Sequence, residues 1–180
     1  MSELINEKRR KFLKKSLIGG IGIAAVPVLA FSQAEESAYL KARQTSKNLS
    51  DKGPAADEEM VFEMVHKAHF NIQIVKELQA KEPSLVNASW DWGGGDFETP
   101  LGAASHTGNR EIAEFLIANG ARPNLFAATM LGRLDIVKGF LELDPNLKNC
   151  KGPHGLSLLH HAEKGKEKAK EIVKYLNSLS

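Results

Sequence analysis

The chain holds one cysteine, Cys150, among 180 residues, so no internal disulfide can form and stability must come from packing. Cys150 reads as an ordinary loop residue rather than a redox or intermolecular thiol. Catalytic signatures are missing as well: there is no Gly-x-Ser-x-Gly elbow, phosphate loop, His-Glu-x-x-His or paired-cysteine metal motif. No catalytic residue and no cofactor is therefore expected. An uncharged, largely apolar run from Leu17 to Phe31 is 15 residues long, short of the ~20 that cross a hydrocarbon core. Gly19, Gly20, Gly22 and Pro27 further weaken it as a spanning helix.

What precedes that run is basic: residues 8–15 read Lys-Arg-Arg-Lys-Phe-Leu-Lys-Lys. A basic region, an apolar region and then small residues make an export signal rather than part of a fold. Arg9-Arg10 followed by Phe12-Leu13-Lys14 resembles the twin-arginine signal of bacterial exported proteins, with Lys8 departing from the usual Ser or Thr. Ser32-Gln33-Ala34 offers small residues for cleavage after Ala34, which would leave 146 residues, enough for one modest domain. The expected location is the periplasm, with an uncleaved inner-membrane anchor as the alternative and membrane contact confined to residues 1–34.

Charge shifts with the cut. The first 34 residues carry six basic and two acidic side chains; removing them from totals of 24 and 22 leaves 18 and 20, a net charge of −2. A slightly acidic chain without a basic stripe is poorly suited to phosphate backbones, so nucleic acid is excluded as a partner. Residues 35–57 are polar and mixed in charge, and bury too little apolar surface to offset chain entropy. They read as a linker, with a short helix around Ala38–Arg43.

From Met60 onward the chain repeats itself. Gln73-Ile74-Val75-Lys76 with Leu78 recurs as Glu111-Ile112-Ala113-Glu114 with Leu116, as Asp135-Ile136-Val137-Lys138 with Phe140, and as Glu171-Ile172-Val173-Lys174 with Leu176. Apolar residues at i, i+1 and i+4 make one stripe of a helix, with charge on the other face. The isoleucines are 38, 24 and 36 residues apart, a period that means stacked helical pairs. In the second copy Thr99 caps a helix, Pro100 fits its first turn, Leu101, Ala103 and Ala104 give a small inner face, and Gly120 ends the outer helix.

Thr99-Pro100-Leu101-Gly102-Ala103-Ala104, with Gly120-Ala121 after the second helix, resembles an ankyrin repeat; Ser157-Leu158-Leu159-His160-His161-Ala162 resembles it more loosely. Trp90–Asp96 and Gly152–Gly155 are similar to segments of a group of bacterial ankyrin-repeat proteins, a similarity that carries no activity. The resemblance implies an all-α solenoid of about four stacked helix-turn-helix repeats with short or irregular hairpin fingers. Its domain covers residues 58–180, with repeats at 58–89, 96–124, 125–150 and 155–180. Against a ~33-residue period, the first spacing is long at Trp90–Asp96, the second is short, and repeat three lacks its hairpin.

Trp90, Asp91, Trp92 and Asp96 are the foremost partner-binding candidates. Both tryptophans of the chain sit there beside carboxylates and three glycines, and Trp is common in binding hot spots. The competing reading is that one Trp packs on the neighbouring repeat while the glycines turn the chain. His106, at the end of an inner helix, and His154, in a second finger, are further candidates. The resemblance gives His160 a structural role, joining neighbouring turns. His66 and His69 are spaced i, i+3 for a metal, but no third ligand lies near them in the chain, so no metal site is expected. Asp91, Asp96 and Glu98 read as turn-making and capping residues rather than an acid/base cluster.

The resulting expectation is a monomeric, exported, non-catalytic module that binds a protein through its concave face and finger loops. The alternative is a small-ligand sensor or enzyme using a pocket near Trp92–Asp96 and His106.

Overall fold

The computed structural model describes residues 55–179, together with Ser37 and Lys41, both in helical backbone. The expected signal segment and most of the expected linker lie outside the described residues. Among the described residues no helix is long and apolar enough to cross a membrane.

Within residues 55–179 eight α-helices follow one another in pairs: α1 (Glu58–Lys67) with α2 (Ile72–Lys81), α3 (Pro100–Thr107) with α4 (Arg110–Ala118), α5 (Leu125–Met130) with α6 (Leu134–Leu143), and α7 (Leu158–Lys164) with α8 (Lys170–Ser178). Short polar side chains start most of them. Asp57 accepts from Glu59 N and Met60 N, Thr99 Oγ1 from Gly102 N, Asn124 Oδ1 from Ala127 N, and Ser157 Oγ from His160 N. Gly120, at φ 91°, follows α4 in the left-handed conformation that a residue without Cβ adopts freely. Asn87 ties the exits of the first two pairs together, donating to Gly120 O at 2.8 Å and accepting from Arg122 N at 3.0 Å.

Two apolar clusters hold the pairs. Met64, Val65, Val75, Leu101, Ile112 and Leu116 belong to the first; Val137, Leu141, Leu158 and Ile172 belong to the second. Each large aliphatic side chain so buried contributes about 1.5–3 kcal/mol. One expected stripe is displaced. Ile136 is 39% exposed, whereas Val137 and Leu141 are buried. The face of α6 that turns inward is Leu134, Val137 and Leu141, spaced i, i+3, i+7.

The inner helices do not form a simple file. α3 touches α1 and α5, but it also touches α7 directly, because α5 is only six residues long and no finger precedes it. Ala103, Ala104, Ala127 and Ala162 are buried where these helices meet. Backbone approaches are correspondingly close. A Cβ on Gly132, whose φ is 77°, would collide with the Lys168 carbonyl, and one on Gly108, at φ 78°, would lie 2.6 Å from the Lys164 carbonyl oxygen. The chain between α7 and α8, with Lys166 at φ 53°, folds over both loops.

His161 is fully buried; its Nδ1–H donates to Ser157 O at 2.8 Å, and its Nε2 has no hydrogen-bond partner among the described residues. Burial pushes its pKa down to about 4, only partly opposed by the Ser157 carbonyl and reinforced by the neighbouring His160. The folded state therefore prefers the neutral ring. Its contribution is complete above the ordinary value of 6.5 and is lost as pH falls toward about 4.

Two outcomes are expected. Unfolding titrations from pH 7 to 4 should show His161→Leu losing less stability on acidification than the wild type, by up to ~1.4 kcal/mol per pH unit; parallel curves contradict the burial argument. Gly132→Ala should cost at least about 2 kcal/mol in denaturant unfolding, from left-handed strain plus the carbonyl clash. An unchanged midpoint would mean the loops are not in contact.

Candidate functional site: a buried carboxylate ringed by three histidines

Strands β1 (Trp90–Asp91) and β2 (Phe97–Glu98) pair antiparallel, Trp90 opposite Glu98 and Asp91 opposite Phe97. The turn between them runs through Gly93, Gly94 and Gly95 at φ 125°, 67° and 86°, a path open to glycine and to few other residues. Asp91 Oδ1 accepts from Gly93 N at 2.9 Å and from Gly95 N at 3.2 Å, so its work is to hold this turn. Trp90 packs against the first apolar cluster. Successive side chains of β2 point to opposite sides: Phe97 is 63% exposed and Glu98 is fully buried.

Glu98 was expected to make a turn or cap. The structure corrects this: its carboxylate is the centre of a polar cluster drawn from four segments. Trp92 Nε1 donates to Oε2 at 2.8 Å. His69 Nε2 and His154 Nε2 each lie 3.4 Å from the same oxygen, and His106 Nε2 lies 3.0 Å from Oε1. The rings are mutually close, His106 being 5.0 Å from His69 and 5.1 Å from His154, centre to centre. Burial raises the pKa of a carboxyl group, but His106, His69 and Trp92 together outweigh it and hold Glu98 down to about 2. It is an anion at neutral pH. For His69, burial works against the proton, yet Glu98 and two carbonyls overcome it and raise the pKa.

The tautomers of two rings follow from acceptors that cannot donate. His69 Nδ1 lies 3.1 Å from Val65 O and 3.0 Å from His66 O, so Nδ1 carries the hydrogen and Nε2 faces Glu98. Asp96 grips His154 with both oxygens, accepting the backbone N–H at Oδ1 (2.9 Å) and the ring Nδ1–H at Oδ2 (2.7 Å). The His154 backbone N–H, then the ring itself, lower the pKa of Asp96, so it too is an anion. Held this way, His154 sits at φ 58° with Nε2 directed at Glu98. His160 Nε2 lies 2.9 Å from His106 O, tying α7 to the end of α3.

Of the expected site residues, Trp92, Asp96, His106 and His154 therefore meet at one place, while Trp90 and Asp91 build the finger that carries Trp92 and Asp96. His69 joins them; His66, spaced i, i+3 from it, does not. A shallow pocket of about 340 Å³, lined by His66, His69, Phe70, Trp92 and His154, opens beside the cluster. Glu98 escaped sequence reasoning because it adjoins the Thr99 cap. Nothing local says that the strand turns it inward.

The ankyrin repeat family model matches residues 96–129, which span β2, α3, α4 and most of α5. That segment is similar to an ankyrin repeat, and ankyrin repeats are generally protein-binding and typically non-catalytic modules. No curated protein matches the chain.

Trp92→Phe keeps an aromatic ring but removes the only in-line donor to Glu98 Oε2 among the described residues. It should lower unfolding free energy by about 1–3 kcal/mol; a neutral result in denaturant titration would show the indole hydrogen bond to be incidental.

Proposed function

We propose that this protein is a non-catalytic ankyrin-type module, a stack of four helical pairs over residues 58–180, that binds a protein partner beside its first finger. The supporting observation is an exposed aromatic strip. Phe62, His66 and Phe70 recur every four residues along α1 and the turn after it, with Phe62 and Phe70 37% and 58% exposed. Trp92, 36% exposed, meets them from the finger, its ring 5.9 Å from Phe62. His66 stacks on Phe62 at 5.5 Å and meets Phe70 edge-on at 5.3 Å. Single exposed apolar side chains are ordinary; a contiguous aromatic strip next to a pocket is the pattern of an interaction site.

Rigidity adds to the case. The finger is fixed by its own turn, by Glu98 and by the second finger, so little ordering cost remains to be met on binding. Export to the periplasm and cleavage after Ala34 belong to the same reading, resting on Arg9-Arg10 and the apolar run that follows. The protein works there as a monomer. The alternative, a small-ligand sensor, draws on the pocket of about 340 Å³ beside the histidines.

Affinity capture from a periplasmic extract should recover a partner with the wild type, and Phe70→Ala and Trp92→Ala should each reduce recovery about tenfold or more. Recovery of the same proteins in equal amounts by all three would remove this surface from consideration.

A further inference from the structure

We propose that His69, His106, His154 and Glu98 form a binding site for a divalent first-row transition-metal ion, held by three imidazole nitrogens and one carboxylate. The inference goes beyond partner binding and does not depend on it.

Geometry carries it first. One ligand atom from each of the four residues lies within 4.8 Å of all the others. The separations from Glu98 to the three Nε2 atoms are 3.0, 3.4 and 3.4 Å. Donors at the ~2.0–2.1 Å typical of tetrahedral zinc stand roughly 3.3–3.4 Å from one another, which the two Oε2 distances to His69 and His154 match, while His106 faces the other carboxylate oxygen.

Protonation carries it second. The ring hydrogens of neutral His69 and His154 are spent on Val65, His66 and Asp96, so both Nε2 lone pairs point at a carboxylate oxygen. Lone pairs facing an anion repel unless a proton or a metal ion lies between them. The buried atoms Glu98 Oε1 and His106 Nε2 approach to 3.0 Å, yet neither makes an in-line hydrogen bond among the described residues. A metal ion satisfies all four groups at once, with each histidine neutral.

The surroundings match. Ligating histidines generally donate their other nitrogen to a carbonyl or carboxylate, which fixes ring direction and raises basicity; His69 and His154 do this. Trp92 Nε1 donates to Glu98 Oε2 in the same supporting way. Three imidazoles select zinc, copper, iron or nickel over magnesium or calcium. The pocket against His69 and His154 gives an ion a way in. The ion would join the turn after α1, the first finger, α3 and the second finger.

The test is calorimetric titration of purified, metal-free full-length protein with Zn²⁺. One equivalent per chain is expected, and Zn²⁺ should raise the unfolding temperature. His106→Gln and His154→Asn should each weaken binding by roughly 100-fold or more, and Asp96→Asn by about 10–100-fold. His66→Gln, Cys150→Ser and Phe70→Ala should leave it unchanged. Should a ligand variant fail to fold, Co²⁺ bound to the wild type decides: intense visible bands of a four-coordinate ion support the site, and the weak bands of an octahedral ion overturn it. No Zn²⁺ binding by the wild type overturns the proposal, as does binding that survives both ligand substitutions or is lost in His66→Gln. Phe70→Ala separates the two readings, since it should reduce partner capture about tenfold or more while sparing the metal.

Discussion

A carboxylate removed from water must be compensated, and in this protein the compensation of Glu98 fixes where four stretches of chain lie. Trp92 comes from the finger, His106 from the end of α3, His69 from the turn after α1, and His154 from a loop 56 residues further along the chain. Leaving a buried ion without partners costs several kcal/mol, so each segment is held near the others by the same charge. The finger's three positive-φ glycines and the Asp91 turn make sense in this light. They bend the chain so that β2 delivers Glu98 inward and Phe97 outward.

A second constraint makes that convergence possible. In a regular helical solenoid each repeat contacts only its neighbours, and a finger in the fourth pair would lie far from one in the second. Here the third pair is short and has no finger, α7 touches α3 across it, and Asp96 reaches His154 directly. What looks in the chain like a degenerate repeat is the spacer that brings two fingers together. The close passage of Gly108 and Gly132 against the α7–α8 connection belongs to the same compaction.

Much of the fold was legible beforehand because its signals are local. Recurrent isoleucine stripes, the Thr99-Pro100 start and Gly120 each act within one or two turns of helix, and the helices fall where those signals put them. Ile136 differs because the third copy carries a second apolar row, Leu134, Val137 and Leu141, and that row is the one that faces in. The site was legible only in pieces. Trp92, Asp96, His106 and His154 stand out by residue type. Glu98 and His69 read there only as a turn or cap residue and as half of a discounted metal pair, because their roles depend on contacts between segments far apart in the chain. Phe62 and Phe70 were silent for another reason: on an amphipathic helix an aromatic residue is as readily core as surface.

The exposed aromatic strip and the histidine cluster share Trp92, whose indole donates to Glu98 while its ring meets Phe62 at 5.9 Å. Whatever sets the cluster therefore sets the outer surface too. The second finger is seated on the first through Asp96 and His154, and a double-mutant cycle on Asp96→Ala and His154→Ala reads that contact most directly. Left-handed strain at residue 154 is common to both backgrounds and cancels. The seated arrangement predicts a coupling in unfolding free energy of about 0.5–3 kcal/mol; additivity within about 0.3–0.5 kcal/mol would contradict it.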